Sequence, residues 1–227
     1  MRATLTRKNV TFVVNWVLVT TLGWSVGLLQ GRITSVASAA ELVNAALMLS
    51  LQGLLVGVVM GGLQSVVLWR FSKEARYWAG ATLLGCWIAE VLGIAIALLL
   101  PWSILNFRGI VVWNVENLGW TFTPIPLYII FSGFSIGLFQ SFVLRRIFPN
   151  LGRKAVLLWI IGTWAGIGLG VFIGGWVEGK LLSSINSYLI NIIIERIVTG
   201  VVLGLITSSL LHLFKGDIEN HIVRSSI

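Results

Sequence analysis

Residues 57–70 read GVVMGGLQSVVLWR, and related segments follow as GFSIGLFQSFVLRR at residues 133–146 and GVVLGLITSSLLHL at residues 200–213. In each segment two glycines stand four residues apart, and a Gln or Thr, a Ser and a Leu follow at matched spacing. Residues four apart lie on one face of an α-helix, so each segment predicts a helix that carries a stripe of small residues. The glycines of these three stripes are Gly57, Gly61, Gly133, Gly137, Gly200 and Gly204.

A second kind of stripe alternates with the first along the chain. Its members are Gly23, Gly27 and Gly31, then Gly85, Ala89 and Gly93, then Gly162, Gly166 and Gly170. The alternation predicts three tandem two-helix repeats, at about residues 10–68, 77–143 and 155–214, in a single membrane domain spanning residues 1–227. Repeats that share one membrane orientation are related by an axis along the membrane normal, so a pseudo-threefold bundle is expected. The stripes allow close helix packing, either within the chain or at an oligomer interface.

The composition is that of a membrane protein. Of the 227 residues, 57% are hydrophobic and 11% are charged, and the mean hydropathy is +0.94. A helix needs about 20 apolar residues to cross the hydrocarbon core, and runs of that length lie at residues 10–29, 47–68, 77–100, 122–143, 155–177 and 190–214. These runs lack the apolar–polar alternation of transmembrane strands. The sequence therefore predicts an all-α integral membrane protein with six transmembrane helices.

The formal net charge of +8 would suggest nucleic-acid binding in a soluble protein, but the basic residues are divided unevenly between the two sides of the predicted membrane domain. Of the 16 basic residues, twelve fall on the side of the N-terminus and four on the other side. The twelve are Arg2, Arg7, Lys8, Arg70, Lys73, Arg76, Arg145, Arg146, Arg153, Lys154, Lys215 and Arg224, and the four are Arg32, Arg108, Lys180 and Arg196. This excess predicts that both termini are cytoplasmic, and no nucleic-acid partner is expected.

Polar residues inside the predicted spans form a candidate intramembrane site, whose members are Glu90, Gln52, Gln64, Gln140 and Thr207. Glu90 is the first candidate, because a carboxyl group deep in a membrane is costly and is a functional-site hypothesis by default. The alternative is a neutral acid bonded to a backbone carbonyl or to Gln52. The set Gln64, Gln140 and Thr207 predicts either interhelical hydrogen bonds or a polar vestibule open to the cytoplasm.

Near the outer end of the last span, Glu195 and Arg196 predict an interfacial cluster of charges. The rest of the chain offers little for catalysis. His212, His221 and the single cysteine, Cys86, have no spacing that suits metal ligation, and no nucleophile–base set or phosphate-binding loop is present in the sequence. We therefore expect no catalytic residues, no bound metal and no cofactor.

The segments at residues 57–70 and 133–146, with Trp87 and Trp164 on the helices that follow, share the pattern G-x-x-x-G-x-x-Q-x-x-x-L before W-R or R-R. This pattern resembles the repeats of an uncharacterised family of multi-pass membrane proteins from cyanobacteria and other bacteria. The likeness covers nearly the whole chain, although the last copy departs from it with Thr207 in place of Gln. The resemblance implies a repeated membrane fold and no particular activity. The expected location is a bacterial inner membrane or thylakoid membrane.

Three functions remain open at the level of the sequence, and an intramembrane enzyme ranks last because the sequence has no catalytic constellation. The thin catalytic inventory, the stripes and the eleven tryptophans favour a non-catalytic accessory, assembly or lipid- or pigment-contacting factor that packs through Gly-rich helix faces. Its partners would be membrane lipids and either another membrane protein or a second copy of the chain. The alternative is a small-molecule transporter, or the membrane-embedded substrate-binding subunit of one, which Glu90 and the two glutamines favour.

Overall fold

The computed structural model describes residues 7–26, 39–99, 125–181 and 188–225, and every regular element in these ranges is a helix. The six α-helices are α1 (Arg7–Ser25), α2 (Ala39–Leu68), α3 (Arg76–Leu99), α4 (Ile125–Ile147), α5 (Arg153–Leu181) and α6 (Tyr188–Ser225). A short 3₁₀ helix, Lys73–Ala75, precedes α3. The prediction of an all-helical chain with six helices is confirmed.

Three helices contain stretches that are long and apolar enough to cross a membrane. These stretches are Ser50–Leu68 in α2, Arg153–Val177 in α5 and Ile192–Phe214 in α6. A shorter apolar stretch, Val10–Ser25, lies in α1. The helices thus indicate an integral membrane protein of the multi-pass kind, while the predicted spans at residues 10–29, 77–100 and 122–143 stay predictions. Three helices extend well beyond the predicted spans, since α2 begins at Ala39, α5 continues to Leu181 and α6 continues to Ser225.

Short polar connections end the helices at one side of the bundle. Between α2 and α3, the side chain of Ser72 accepts a hydrogen bond of 3.1 Å from the backbone N–H of Glu74 and so caps the 3₁₀ helix. Helix α4 ends at Ile147, shortly before Pro149, because the residue that precedes a proline disfavours the helical conformation. Both connections therefore reverse the chain within a few residues, which makes the joined helices antiparallel neighbours.

The helices form a closed ring in chain order. Each helix packs against the helices before and after it, and α6 packs against α1. The end of the ring that carries both short connections is called the basic end here. Among the side chains that the structure describes, the exposed basic ones at this end are Arg70, Lys73, Arg76, Arg145, Arg146, Arg153 and Lys154. The interior of the ring is filled by side chains from all six helices.

Buried side chains spaced four residues apart give the interior a layered order. Nearest the basic end is the tryptophan layer, in which Trp16, Trp78 and Trp159 are fully buried beside Leu68, Leu144 and Leu211. The rings of Trp16 and Trp78 meet edge to face at 5.9 Å, and those of Trp78 and Trp159 at 5.5 Å. One turn deeper lies a polar layer, formed by Thr20, Thr82, Thr163, Gln64, Gln140 and Thr207. An apolar layer follows, formed by Trp24, Val56, Met60, Cys86, Ile136, Ile167 and Leu203.

Candidate functional site

Glycines bring the helices of the ring close enough for the layers to form. The backbone of Gly85 on α3 lies so near α4 that a Cβ built on it would stand 2.6 Å from the Cα of Ile136. A Cβ on Gly57 would stand 2.5 Å from the Cα of Leu83, and one on Gly133 would stand 2.5 Å from the Cα of Trp164. A Cβ would also stand within 3 Å of a neighbouring helix of this chain at Gly23, Gly61, Gly137, Gly162, Gly166, Gly200 and Gly204, although at Gly162 the atom met is the end of the Leu210 side chain.

The stripe glycines described by the structure therefore lie at contacts between helices of one chain. Three predicted stripe members cannot be placed in this way, because Gly27, Gly31 and the surroundings of Gly93 lie outside the described residues.

The register of the last repeat differs from the alignment suggested by the stripes alone. That alignment matched Gly162 with Gly23 and Gly85. In the structure Gly166 contacts Leu203, as Gly23 contacts Met60 and Gly85 contacts Ile136. The matched segments are W-x-x-x-T-x-x-G at residues 16–23, 78–85 and 159–166. This motif identifies the correct alignment of the repeats. The glycines alone do not, because glycines four residues apart still match when one repeat is shifted by one helical turn.

Amide side chains connect neighbouring helices in the polar layer. Gln64 on α2 donates a hydrogen bond of 2.9 Å to Thr20 Oγ1 on α1, and its Oε1 accepts one of 2.9 Å from the indole N–H of Trp78 on α3. Gln140 on α4 donates to Thr82 Oγ1 on α3 at 2.9 Å and lies 3.4 Å from Gln64 Oε1. Each glutamine thus joins its helix to at least one neighbour through groups that lipid could not satisfy.

The hydrogen bonding changes between α5 and α6, where a threonine replaces the glutamine. Thr207 Oγ1 accepts a hydrogen bond of 2.9 Å from the indole N–H of Trp16 and donates to the carbonyl of Leu203 in its own helix. Thr163 likewise bonds the carbonyl of Trp159, one turn earlier in its own helix. The indole N–H of Trp159 has no hydrogen-bond partner among the described residues. Thr207 therefore joins α6 to α1, whereas the indole of Trp159 on α5 is left without a partner in this sector of the layer.

The predicted set Gln64, Gln140 and Thr207 is brought together, but it does not line an open vestibule. Each of the three side chains is only 3% exposed, and the tryptophan layer covers them on the side of the basic end. Of the two interpretations of these residues, interhelical hydrogen bonding describes the contacts in the described part of the chain.

Deeper in the ring, beyond the apolar layer, lies a group of buried polar residues that we call the charged layer. Its ionisable members are Glu90 on α3 and Arg196 on α6, each 7% exposed, which interact electrostatically. Gln52 on α2 is buried as well, and the Glu90 side chain packs against the adjoining Gly53. The guanidinium of Arg196 lies 6.0 Å from the ring of Trp24 on α1.

Two hydrogen-bonding groups of this region have no partner in the part of the chain that the structure describes. The indole N–H of Trp24 and the hydroxyl of Thr199, both buried, make no hydrogen bond to any described residue. Buried polar groups are normally bonded, so unpartnered ones in an interior next to two charges indicate a place where a ligand or water can bind. The arrangement thus places an acidic group, a basic group and two further hydrogen-bonding groups in one part of the interior.

The position of Arg196 differs from the interfacial charge cluster that the sequence suggested. Its side chain turns into the ring and stacks on Trp24, because the cation–π contact and the interior acid compensate part of its desolvation. Glu195, its neighbour, is only half-buried and its backbone packs on Gly174 of α5. The sequence predicted Arg196 at the membrane interface, and the structure places it in the charged layer instead.

The described residues contain no group of three His, Cys, Asp or Glu side chains that could hold a metal ion. No protein family, curated protein or solved structure matches the chain. The resemblance drawn from the repeated pattern stays a prediction.

Proposed function

We propose that this chain is a non-catalytic membrane protein that binds a small polar molecule in the charged layer, as a transporter or as the membrane-embedded substrate-binding subunit of one. The observation that carries the proposal is the burial of Glu90 and Arg196 in one interior layer, on helices that lie opposite each other in the ring. Ionisable side chains inside a membrane protein are costly and mark substrate or ion sites by default. The indole N–H of Trp24 and the hydroxyl of Thr199 have no partner among the described residues. They would give the ligand directed hydrogen bonds in addition to its attraction to the two charges.

The architecture behind this proposal is three tandem two-helix repeats around a pseudo-threefold axis, with both termini in the cytoplasm of a bacterial cell and the helices in its inner or thylakoid membrane. Matched contacts support the repeats, because Gly23 meets Met60, Gly85 meets Ile136 and Gly166 meets Leu203. Each of the three partners stands three residues after the first stripe glycine of its own helix. The seven exposed basic side chains that the structure describes at the basic end support the orientation.

In this orientation the charged layer lies in the outer half of the bundle. The tryptophan, polar and apolar layers fill the ring between it and the cytoplasm, so a ligand would reach the charged layer from the outer side. Passage into the cytoplasm would require these three layers to separate. A subunit that only captures its ligand and hands it to a partner would not need that change.

The accessory role that the sequence favoured remains a second candidate, and one feature of the outer surface favours it. A groove of about 400 Å³ runs between α5 and α6 on the outside of the ring. It is lined by Leu158, Ile161, Gly162, Leu205, Ile206, Ser209 and Leu210. Exposed aromatic side chains on α5, among them Trp164, Phe172 and Trp176, extend the apolar surface. Such a surface suits contact with a lipid, a pigment or another membrane protein, including a second copy of the chain.

The test is to purify the full chain in mild detergent and to identify what co-purifies by mass spectrometry and absorption spectroscopy. We expect a polar metabolite that is depleted at least about tenfold by Glu90→Gln, which removes one charge pole of the site without changing its size. Glu74→Gln is the matched control, because it removes a carboxylate at the basic end. A pigment or stoichiometric protein partner that Glu90→Gln leaves in place would contradict ligand binding in the charged layer and favour the accessory role.

A further inference from the structure

The ring of Tyr77, at the start of α3, has two guanidinium groups beside it, one from Arg76 on the same helix and one from Arg146 on α4. The Cζ atom of Arg76 lies 4.8 Å from the ring centroid, and the Cζ atom of Arg146, in the last turn of α4, lies 5.2 Å from it. Arg76 also donates a hydrogen bond of 2.9 Å to the phenolic oxygen of Tyr77. Both distances are within the range of cation–π contacts, so the ring holds two positive groups beside each other. We call these three residues the arginine clamp.

The clamp brings like charges together without a neutralising carboxylate. Neither arginine forms an ion pair within the described residues. The stretches at residues 69–76 and 145–154 hold seven basic residues against a single acid, Glu74. Two cations on one ring repel each other, and an anion placed between them would turn this repulsion into attraction. Guanidinium groups match the oxygens of a phosphate group through paired N–H donors.

The clamp lies where a membrane presents phosphate groups. Helix α2 ends at Leu68 and α3 begins at Arg76, so the clamp stands at the end of the apolar segments. The 3₁₀ helix between them packs against α4, which brings Arg146 next to Arg76. Tyr77 is 41% exposed, as expected for an aromatic residue at the level of the headgroups.

We propose that Arg76, Tyr77 and Arg146 form a binding site for a phosphate group, supplied by an anionic lipid headgroup or by free phosphate. The site is independent of the charged layer, because it lies at the opposite end of the interior and shares no residue with it. Basic pockets between membrane helices on the cytoplasmic side bind anionic headgroups in the same way.

The test uses native mass spectrometry of the full chain in detergent, with phosphatidylglycerol, phosphatidylcholine or inorganic phosphate as the added probe. The variants are the double substitution Arg76→Gln/Arg146→Gln and the single substitution Tyr77→Leu, which removes the ring and keeps both charges. The matched control is Arg153→Gln/Lys154→Gln, which removes two exposed positive charges from the same end. We expect both clamp variants to weaken phosphatidylglycerol binding at least about tenfold, and the control at most about threefold.

The proposal would be overturned if the clamp double variant and the control double variant weakened phosphatidylglycerol binding equally, because binding would then depend on total charge. It would also be overturned if neither variant weakened binding. Unchanged binding in Tyr77→Leu would also overturn it, since the ring is what orients the guanidinium groups. Competition with inorganic phosphate distinguishes the two sources of the phosphate group. Phosphatidylglycerol binding that about 10 mM inorganic phosphate does not displace identifies the lipid headgroup, whereas displacement that depends on the clamp identifies free phosphate.

Discussion

The indole N–H of Trp78 donates a hydrogen bond of 2.9 Å to the side-chain oxygen of Gln64, whereas the indole of Trp159, whose ring packs on that of Trp78, has no such partner among the described residues. The two tryptophans share one layer, one residue type and complete burial. Each also has two aromatic neighbours, Trp16 and Trp159 for Trp78 and Trp78 and Phe214 for Trp159, so the hydrogen bond is the main difference between them.

Replacement of these tryptophans by phenylalanine should therefore have unequal effects. Trp78→Phe loses ring volume and leaves Gln64 without its indole donor, while Trp159→Phe loses only the ring volume. We expect Trp78→Phe to lower the free energy of unfolding by about 1 kcal/mol more than Trp159→Phe does. Denaturant-induced unfolding in mixed micelles, followed by far-UV circular dichroism, measures the difference. Equal losses would mean that the Trp78–Gln64 bond adds nothing to stability.

Two glycines of α3 give an equally direct comparison for helix packing. A methyl group added at Gly85 meets the backbone of Ile136 and forces α3 and α4 apart, whereas one added at Gly80 meets nothing within 4 Å. We expect Gly85→Ala to destabilise the protein by about 1–3 kcal/mol. Gly80→Ala should be neutral or stabilising by up to about 1 kcal/mol, because alanine favours a helix over glycine. Thermal unfolding of both variants in the same detergent gives the comparison, and similar losses at the two sites would contradict the packing assigned to Gly85.

The helices and the close glycine contacts could be anticipated because both depend on local spacing. Long apolar runs predict helices, and small residues four apart predict one narrow face per helix, whatever the partner is. The burial of Gln64 and Gln140 could also be expected, since an amide within an apolar segment requires hydrogen-bond partners. Their specific acceptors, Thr20 and Thr82, were not expected, because the W-x-x-x-T-x-x-G motif was hidden behind the repeated glycines.

The charged layer could be predicted only in part. Glu90 stood out because an acid in the middle of an apolar run is conspicuous. Arg196 did not, because it lies near the beginning of its apolar run, where a basic residue can reach the headgroups. Its inward direction depends on Trp24 and Glu90, which come from two other helices far away in the sequence. Single-sequence spacing carries no information on such a meeting.

The uneven distribution of basic side chains makes the orientation of the chain testable with single cysteines. Lys73 at the basic end and Lys180 in the last turn of α5 are both exposed, and the native Cys86 is buried. With Cys86→Ala as background, a membrane-impermeant maleimide added to intact cells should label Lys180→Cys and spare Lys73→Cys. Permeabilised cells should show labelling of both. This outcome follows if basic segments are retained in the cytoplasm.

The reverse pattern, with Lys73→Cys labelled from outside, would place the basic end on the outer face. The charged layer would then open toward the cytoplasm, and the tryptophan, polar and apolar layers would stand between it and the exterior. The ligand-binding role could survive that result, since Glu90 and Arg196 interact electrostatically in either orientation. The direction of ligand entry would not survive it, and the arginine clamp would face the lipid headgroups of the outer leaflet.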